Sequence, residues 1–136
     1  MKKIVFSLAL SGVLLGACQQ KGQDTDAVQK ETIQVHDEIM PLISSFDQKT
    51  IRIDSLLVNL ASLKQEDPAL DTSKYGQDLR KLKMNLEAAT DSMMEWMQAY
   101  SADSLEVTYQ NQELVKIKAM KATFEKVQAE ADSTLK

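Results

Sequence analysis

From Val28 onward the chain returns to one side at alternating steps of four and three. The positions are Val28, Thr32, Val35, Ile39, Leu42, Phe46, Lys49, Ile53, Leu56, Leu60 and Leu63, and only Thr32 and Lys49 are not apolar. Such spacing holds one stripe of a helix against its neighbours and predicts a long helix from about Asp26 to Gln65. Asp26 and Gln29 have the spacing of a capping pair at its start. Pro41 opposes the helix, since an interior proline costs about 3 kcal/mol. It falls off the stripe, however, where a kink would curve the helix around a core. A break near Pro41 or Ser44-Ser45 is the alternative.

The segment Glu66 to Ser73 carries Pro68 and several capping residues and predicts a loop. A second stripe follows: Leu79, Leu82, Leu86, Ala89, Met93, Trp96 with Met97, and Tyr100. Ser101-Ala102-Asp103 predicts a tight turn, and Asp103 with Glu106 resembles a capping box. The third stripe is Tyr109, then the less apolar 110–113, then Leu114, Ile117, Met120, Phe124, Val127 and Ala131. Short loops between such helices make sequential helices antiparallel neighbours. The expected fold is all-α: an up-down-up three-helix bundle with a long, Pro-kinked first helix over residues 26–136. At 1.5 Å per residue a first helix of about 40 residues is roughly 60 Å long, some 10 to 20 Å longer than the others. The excess would project beyond the bundle at the N-terminal end and carry Val28, Ile33 and Val35. Those residues would either fray or zip against a second copy or an envelope partner.

Composition narrows the function. A chain of 136 residues allows one modest domain. Four glycines and two prolines are too few for the turns of an all-β fold. With 16 Lys+Arg against 20 Asp+Glu, a net charge of -4 offers no footprint for nucleic acid. One His and one Cys exclude most zinc frameworks and leave little for nucleophilic catalysis. No phosphate loop, nucleophile elbow or paired histidine is present, so the chain is expected not to be an enzyme.

The N-terminus reads as an address. Lys2 and Lys3 precede an apolar stretch, Ile4 to Leu15, too short for the roughly 20 residues that span a bilayer but suited to a secretory signal. Leu15-Gly16-Ala17-Cys18 resembles the lipobox of bacterial lipoproteins, and Cys18 is the only cysteine of the chain. That resemblance implies cleavage after Ala17, a diacylglyceryl group on the Cys18 sulfur and an acylated new amine, as in palmitate-bearing lipoproteins. Two or more acyl chains give durable anchoring where one does not. Losing Lys2 and Lys3 with residues 1–17 leaves 14 basic against 20 acidic residues, net -6. Residues 18–25 are polar, include Gly22 and show no stripe, which predicts a lipidated flexible tether. Gln19, rather than Asp, after the cysteine points to the outer membrane by the retention pattern of such lipoproteins. Gln20-Lys21 with Asp24 faintly resembles surface-export signals of Bacteroidota lipoproteins.

One constellation carries candidate chemistry. His36 and Met40 are four apart on one helix, as are Met93 and Met97 on another. Folding about the 66–73 loop, with Met93 level with Phe46, gathers these residues and Trp96 at one end of the bundle. Thioethers with an imidazole are a ligand set for Cu(I) or Ag(I), and an adjacent indole can cover such an ion. The ligand types resemble those of small periplasmic copper chaperones. Met at helical spacing also simply fills cores, and Met84 and Met120 are expected to face each other in that role.

The runs His36-Asp37-Glu38-Ile39-Met40-Pro41 and Asp91-Ser92-Met93-Met94-Glu95-Trp96-Met97 make the chain similar to small helical lipoproteins of Bacteroidota. Some of these carry the label "viral A-type inclusion protein", which reflects coiled-coil likeness and implies no mechanism. The resulting expectation is a membrane-anchored, non-enzymatic interaction module of the cell envelope. The alternative is a soft-metal binder using His36, Met40, Met93 and Met97.

Overall fold

A computed structural model describes residues 17–136, with side chains from Thr25 onward. The expected signal segment lies outside the described residues apart from Ala17, and the side chain of Cys18 lies outside them as well. All regular structure among the described residues is helical: α1 (Ala17–Val58), α2 (Leu60–Glu66), α3 (Thr72–Ala99) and α4 (Val107–Thr134). The segment 18–25, expected as a flexible tether, is helical in its backbone because α1 begins at Ala17. Asp26 therefore lies inside the helix rather than at a cap.

Pro41 is accommodated within α1, and no break occurs there or at Ser44-Ser45. The interruption falls at Asn59 instead. Its backbone N–H is shared between the carbonyls of Ser55 and Leu56, both at 3.2 Å. Its side-chain Nδ2 also donates to Ser55 O at 2.8 Å. An asparagine that bonds its own preceding turn competes with the regular ladder, which locates the break. α2 then carries the chain to the loop, where Lys64 Nζ donates to the carbonyls of Pro68 and Leu70, each at 2.7 Å. Asp71 caps α3 by accepting from Lys74 N at 2.9 Å. In α3, Gly76 faces Leu60 of α2 so closely that an added Cβ would lie 3.1 Å from Leu60 Cδ1.

α4 starts differently from expectation. Its N-cap is Glu106, which makes no side-chain capping bond, so Asp103 and Glu106 do not form a capping box. The chain instead secures this turn through Gln110, described below.

The core follows the three stripes. Ile39, Phe46 and Ile53 of α1, Leu79, Leu82, Leu86 and Met93 of α3, and Ile117, Phe124 and Ala131 of α4 are fully enclosed. Phe46 and Phe124 stack with centroids 5.0 Å apart. The two polar members of the first stripe find partners. Thr32 is buried and donates to Val28 O at 2.9 Å. Lys49 reaches α4, donating to Gln128 Oε1 at 3.2 Å. Each of α1, α3 and α4 packs against both of the others.

The partners across α1 and α3 run in opposite numerical order. Asp54 pairs with Lys83 at 2.6 Å, His36 lies against Trp96, and Gln29 reaches Ala102 at 2.7 Å. Those across α1 and α4 run in the same order: Glu31 with Lys118, Glu38 with Lys121, Phe46 with Phe124. His36 therefore lies level with the last turn of α3, beside Trp96. In the α3–α4 pair, Asn85 meets Glu130 at 2.9 Å, so Met84 does not face Met120. Met84 is exposed and Met120 half-buried against the core.

Candidate functional site

The end of the bundle where α3 turns into α4 holds a connected set of aromatic and polar side chains. Trp96, the last core residue of α3, donates through Nε1 to Glu113 Oε2 at 2.9 Å. Glu113 is a carboxylate enclosed to 5% exposure, and its second oxygen accepts from Lys116 Nζ at 2.6 Å. That bond raises the Lys116 pKa above the usual lysine value. Tyr100 stacks on Trp96 with centroids 4.6 Å apart and donates to Gln110 Oε1 at 3.0 Å. Burial, reinforced by Tyr109 and Glu113, pushes the Tyr100 phenol upward. Gln110, fully buried, spends its amide hydrogens on the carbonyls of Ser101 (3.2 Å) and Ser104 (2.9 Å). Tyr109 accepts from Ser101 N at 2.8 Å.

Gln29 closes the assembly from α1. Its Nε2 donates to Ala102 O at 2.7 Å and Ser104 O at 3.1 Å, fastening the early part of α1 to the α3–α4 turn. No buried side-chain nitrogen or oxygen among the described residues lacks a partner. Buried polar groups are tolerated only when so satisfied, and a satisfied set holds one geometry. Gln110 and Glu113 were legible only as polar residues in the weakly apolar start of the third stripe.

This turn also covers two of the three residues expected on the overhang. Val35 is buried at 8% exposure, and Val28 packs against the core. The helix pair slides far enough that the turn reaches Gln29, and the residues expected to be uncovered gain partners. Only Ile33 of the three is exposed, at 41%.

The candidate metal ligands divide. His36 and Trp96 do come together, with ring centroids 6.0 Å apart. His36 is largely covered, and its Nδ1 lies 2.9 Å from Asp37 Oδ1. Met40 is half-buried against the core. Met93, expected to share a site with Met97, is wholly enclosed among core side chains, whereas Met97 is 42% exposed. After the step of four from Ala89 to Met93 the stripe continues by three to Trp96, and a second step of four carries Met97 off it. Met94, not singled out by the stripe, is exposed as well. Among the described residues no group of three or more His, Cys, Asp or Glu could hold a metal ion. None of the described helices is long and apolar enough to cross a membrane.

Fold and site together define an all-helical protein whose long helices are locked by a polar–aromatic cluster at one end. No protein-family model, curated protein or solved structure matches the chain.

Proposed function

We propose that the protein is a lipid-anchored, non-enzymatic structural and interaction module of the cell envelope, held at the outer membrane through Cys18. The observation that carries this reading is the lone cysteine directly after Leu15-Gly16-Ala17, behind a basic and then apolar leader. Diacylglyceryl and amide-linked acyl chains would supply the two-signal anchoring that a single chain lacks. Above the anchor stands an up-down-up bundle with a first helix bent at Pro41. Support for that topology comes from the order of the contact pairs on α1, α3 and α4. Support for a non-enzymatic role comes from the cluster at Trp96, Tyr100, Gln110 and Glu113. Its polar atoms are engaged in holding helices together rather than directed at a cleft. The module presents its exposed side chains to a second copy or an envelope protein, with Ile33 the accessible member of the N-terminal apolar set.

Mass spectrometry of the native product tests the anchor. The expected mature chain begins at Cys18 and carries diacylglyceryl and N-acyl masses, and Cys18→Ser accumulates as unprocessed precursor. A free thiol with residues 1–17 still attached overturns the proposal.

A further inference from the structure

Helical spacing sets three methionines on the flanks of α1 and α3 that meet near the only imidazole of the chain. Two observations fix which flanks of the helices meet there. Lys83 of α3 bonds Asp54 of α1, and Asp47 and Thr50 line a cleft together with Glu87, Thr90 and Asp91. Helical steps of three and four from these positions lead toward the polar–aromatic cluster. On α1 they pass from Asp47 through Ile43 and Met40 to His36. On α3 they pass from Glu87 and Thr90 through Met94 to Met97. The contact of His36 with Trp96 places the ends of these two runs at the same level.

We propose that His36, Met40, Met94 and Met97 form a binding site for a soft monovalent cation, Cu(I), in the α1–α3 groove. This goes beyond the anchoring role and does not depend on it. It also replaces Met93, enclosed in the core, by Met94, which shares the flank of Met97 and is 48% exposed. Three thioethers and one imidazole suit Cu(I) and Ag(I), and among the described residues no group of three or more His, Cys, Asp or Glu offers an oxygen-seeking ion a site.

His36 is prepared for this role by its neighbour. With the ring proton on Nδ1, that N–H donates to Asp37 Oδ1 at 2.9 Å and leaves the Nε2 lone pair free. A carboxylate behind the imidazole is the usual outer-shell arrangement for a ligating histidine, fixing its tautomer and ring orientation. Trp96 adds a second contribution. Its Nε1 is held by Glu113, so the indole stays beside His36 and offers its π-system to a cation. Met40, Met94 and Met97 have unbranched side chains that can adjust to close around an ion.

The test uses the full-length Cys18→Ser chain in detergent, so that no thiolate competes. Ag(I) serves as a redox-inert probe, alongside Cu(I) held reduced by ascorbate with bathocuproine disulfonate as competitor. Expected is one tightly held ion per chain, with quenching of Trp96, the only tryptophan. Replacing Met40, Met94 and Met97 together by Leu keeps apolar volume, and circular dichroism checks that the fold persists. That variant should lose more than about 100-fold in affinity, beyond the range of outer-shell changes. Met93→Leu and Met84→Leu should bind as the parent does, and Asp37→Asn should weaken binding by about tenfold. Failure of the parent to hold either ion against the competitor overturns the site. So does undiminished binding and quenching in the folded triple-Leu variant.

Discussion

Trp96 Nε1 donates to Glu113 Oε2 at 2.9 Å across the α3–α4 interface, with both residues under one-tenth exposed. A hydrogen bond to a carboxylate that water barely reaches is worth more than a surface one, about 1.5–3 kcal/mol. Trp96→Phe keeps an aromatic ring but removes the donor and leaves a buried carboxylate oxygen short of a partner. Its expected cost is about 2–3 kcal/mol. Glu113→Leu leaves the indole N–H orphaned and should cost about 1–3 kcal/mol. The double variant should be less destabilised than the two losses added. Urea unfolding followed by circular dichroism measures all three, and strict additivity would rule out the coupling.

The Phe46–Phe124 stack joins α1 to α4 at the centre of the core, and neither ring touches solvent. Phe46→Ala or Phe124→Ala should each lower stability by about 3–5 kcal/mol through lost burial and the cavity left behind. Phe124→Leu should cost clearly less than Phe124→Ala. Chemical denaturation gives the ranking; equal losses would mean that the site collapses freely around the deletion.

Pro41 lies on an exposed face within α1 and cannot donate to the carbonyl four residues earlier. Pro41→Ala restores that bond and removes the ring clash, so it should stabilise the chain by about 1–3 kcal/mol. Thermal unfolding provides the measurement. A loss of stability would show that the packing of α1 requires proline at this position.

Glu38 is held below the usual carboxylate range, first by its hydrogen bond to Lys121, then by Gln34 and by the Lys121 charge. A depressed carboxylate contributes stability above its unfolded pKa, and that contribution is lost as pH falls through the lowered folded value. The pair is solvent-exposed, so the effect should be small and should fade with salt. In Lys121→Met, an NMR titration should find the Glu38 midpoint moved up toward its ordinary value. An unmoved midpoint would contradict the assigned cause.

Tyr100 works in the opposite sense. Burial raises its phenol, so the folded chain resists forming phenolate. Stability from this group is complete below the unfolded tyrosine value near pH 10 and declines as pH rises through the folded one. An unfolding series should show loss on the alkaline side that Tyr100→Phe reduces. If the two proteins lose stability in parallel above pH 10, Tyr100 is not the group responsible.

Much was already written in the order of residues. Alternating steps of three and four specify helices, because only side chains on one face of a 3.6-residue turn can enter a shared core. The three stripes, the capped loop before Thr72 and the enclosure of Ile39, Phe46, Leu86 and Phe124 follow from that alone. Axial register does not follow, because a repeating apolar stripe can slide along its neighbour and remain apolar against apolar. Polar groups remove that freedom: Glu113 with Trp96, and Gln29 with the turn at Ala102 and Ser104, find their partners in one alignment, and sliding the helices would strand them. Tertiary structure therefore decided that Val28 and Val35 are covered, that Met93 lies inside while Met94 and Met97 are exposed, and that the helical ladder is interrupted at Asn59.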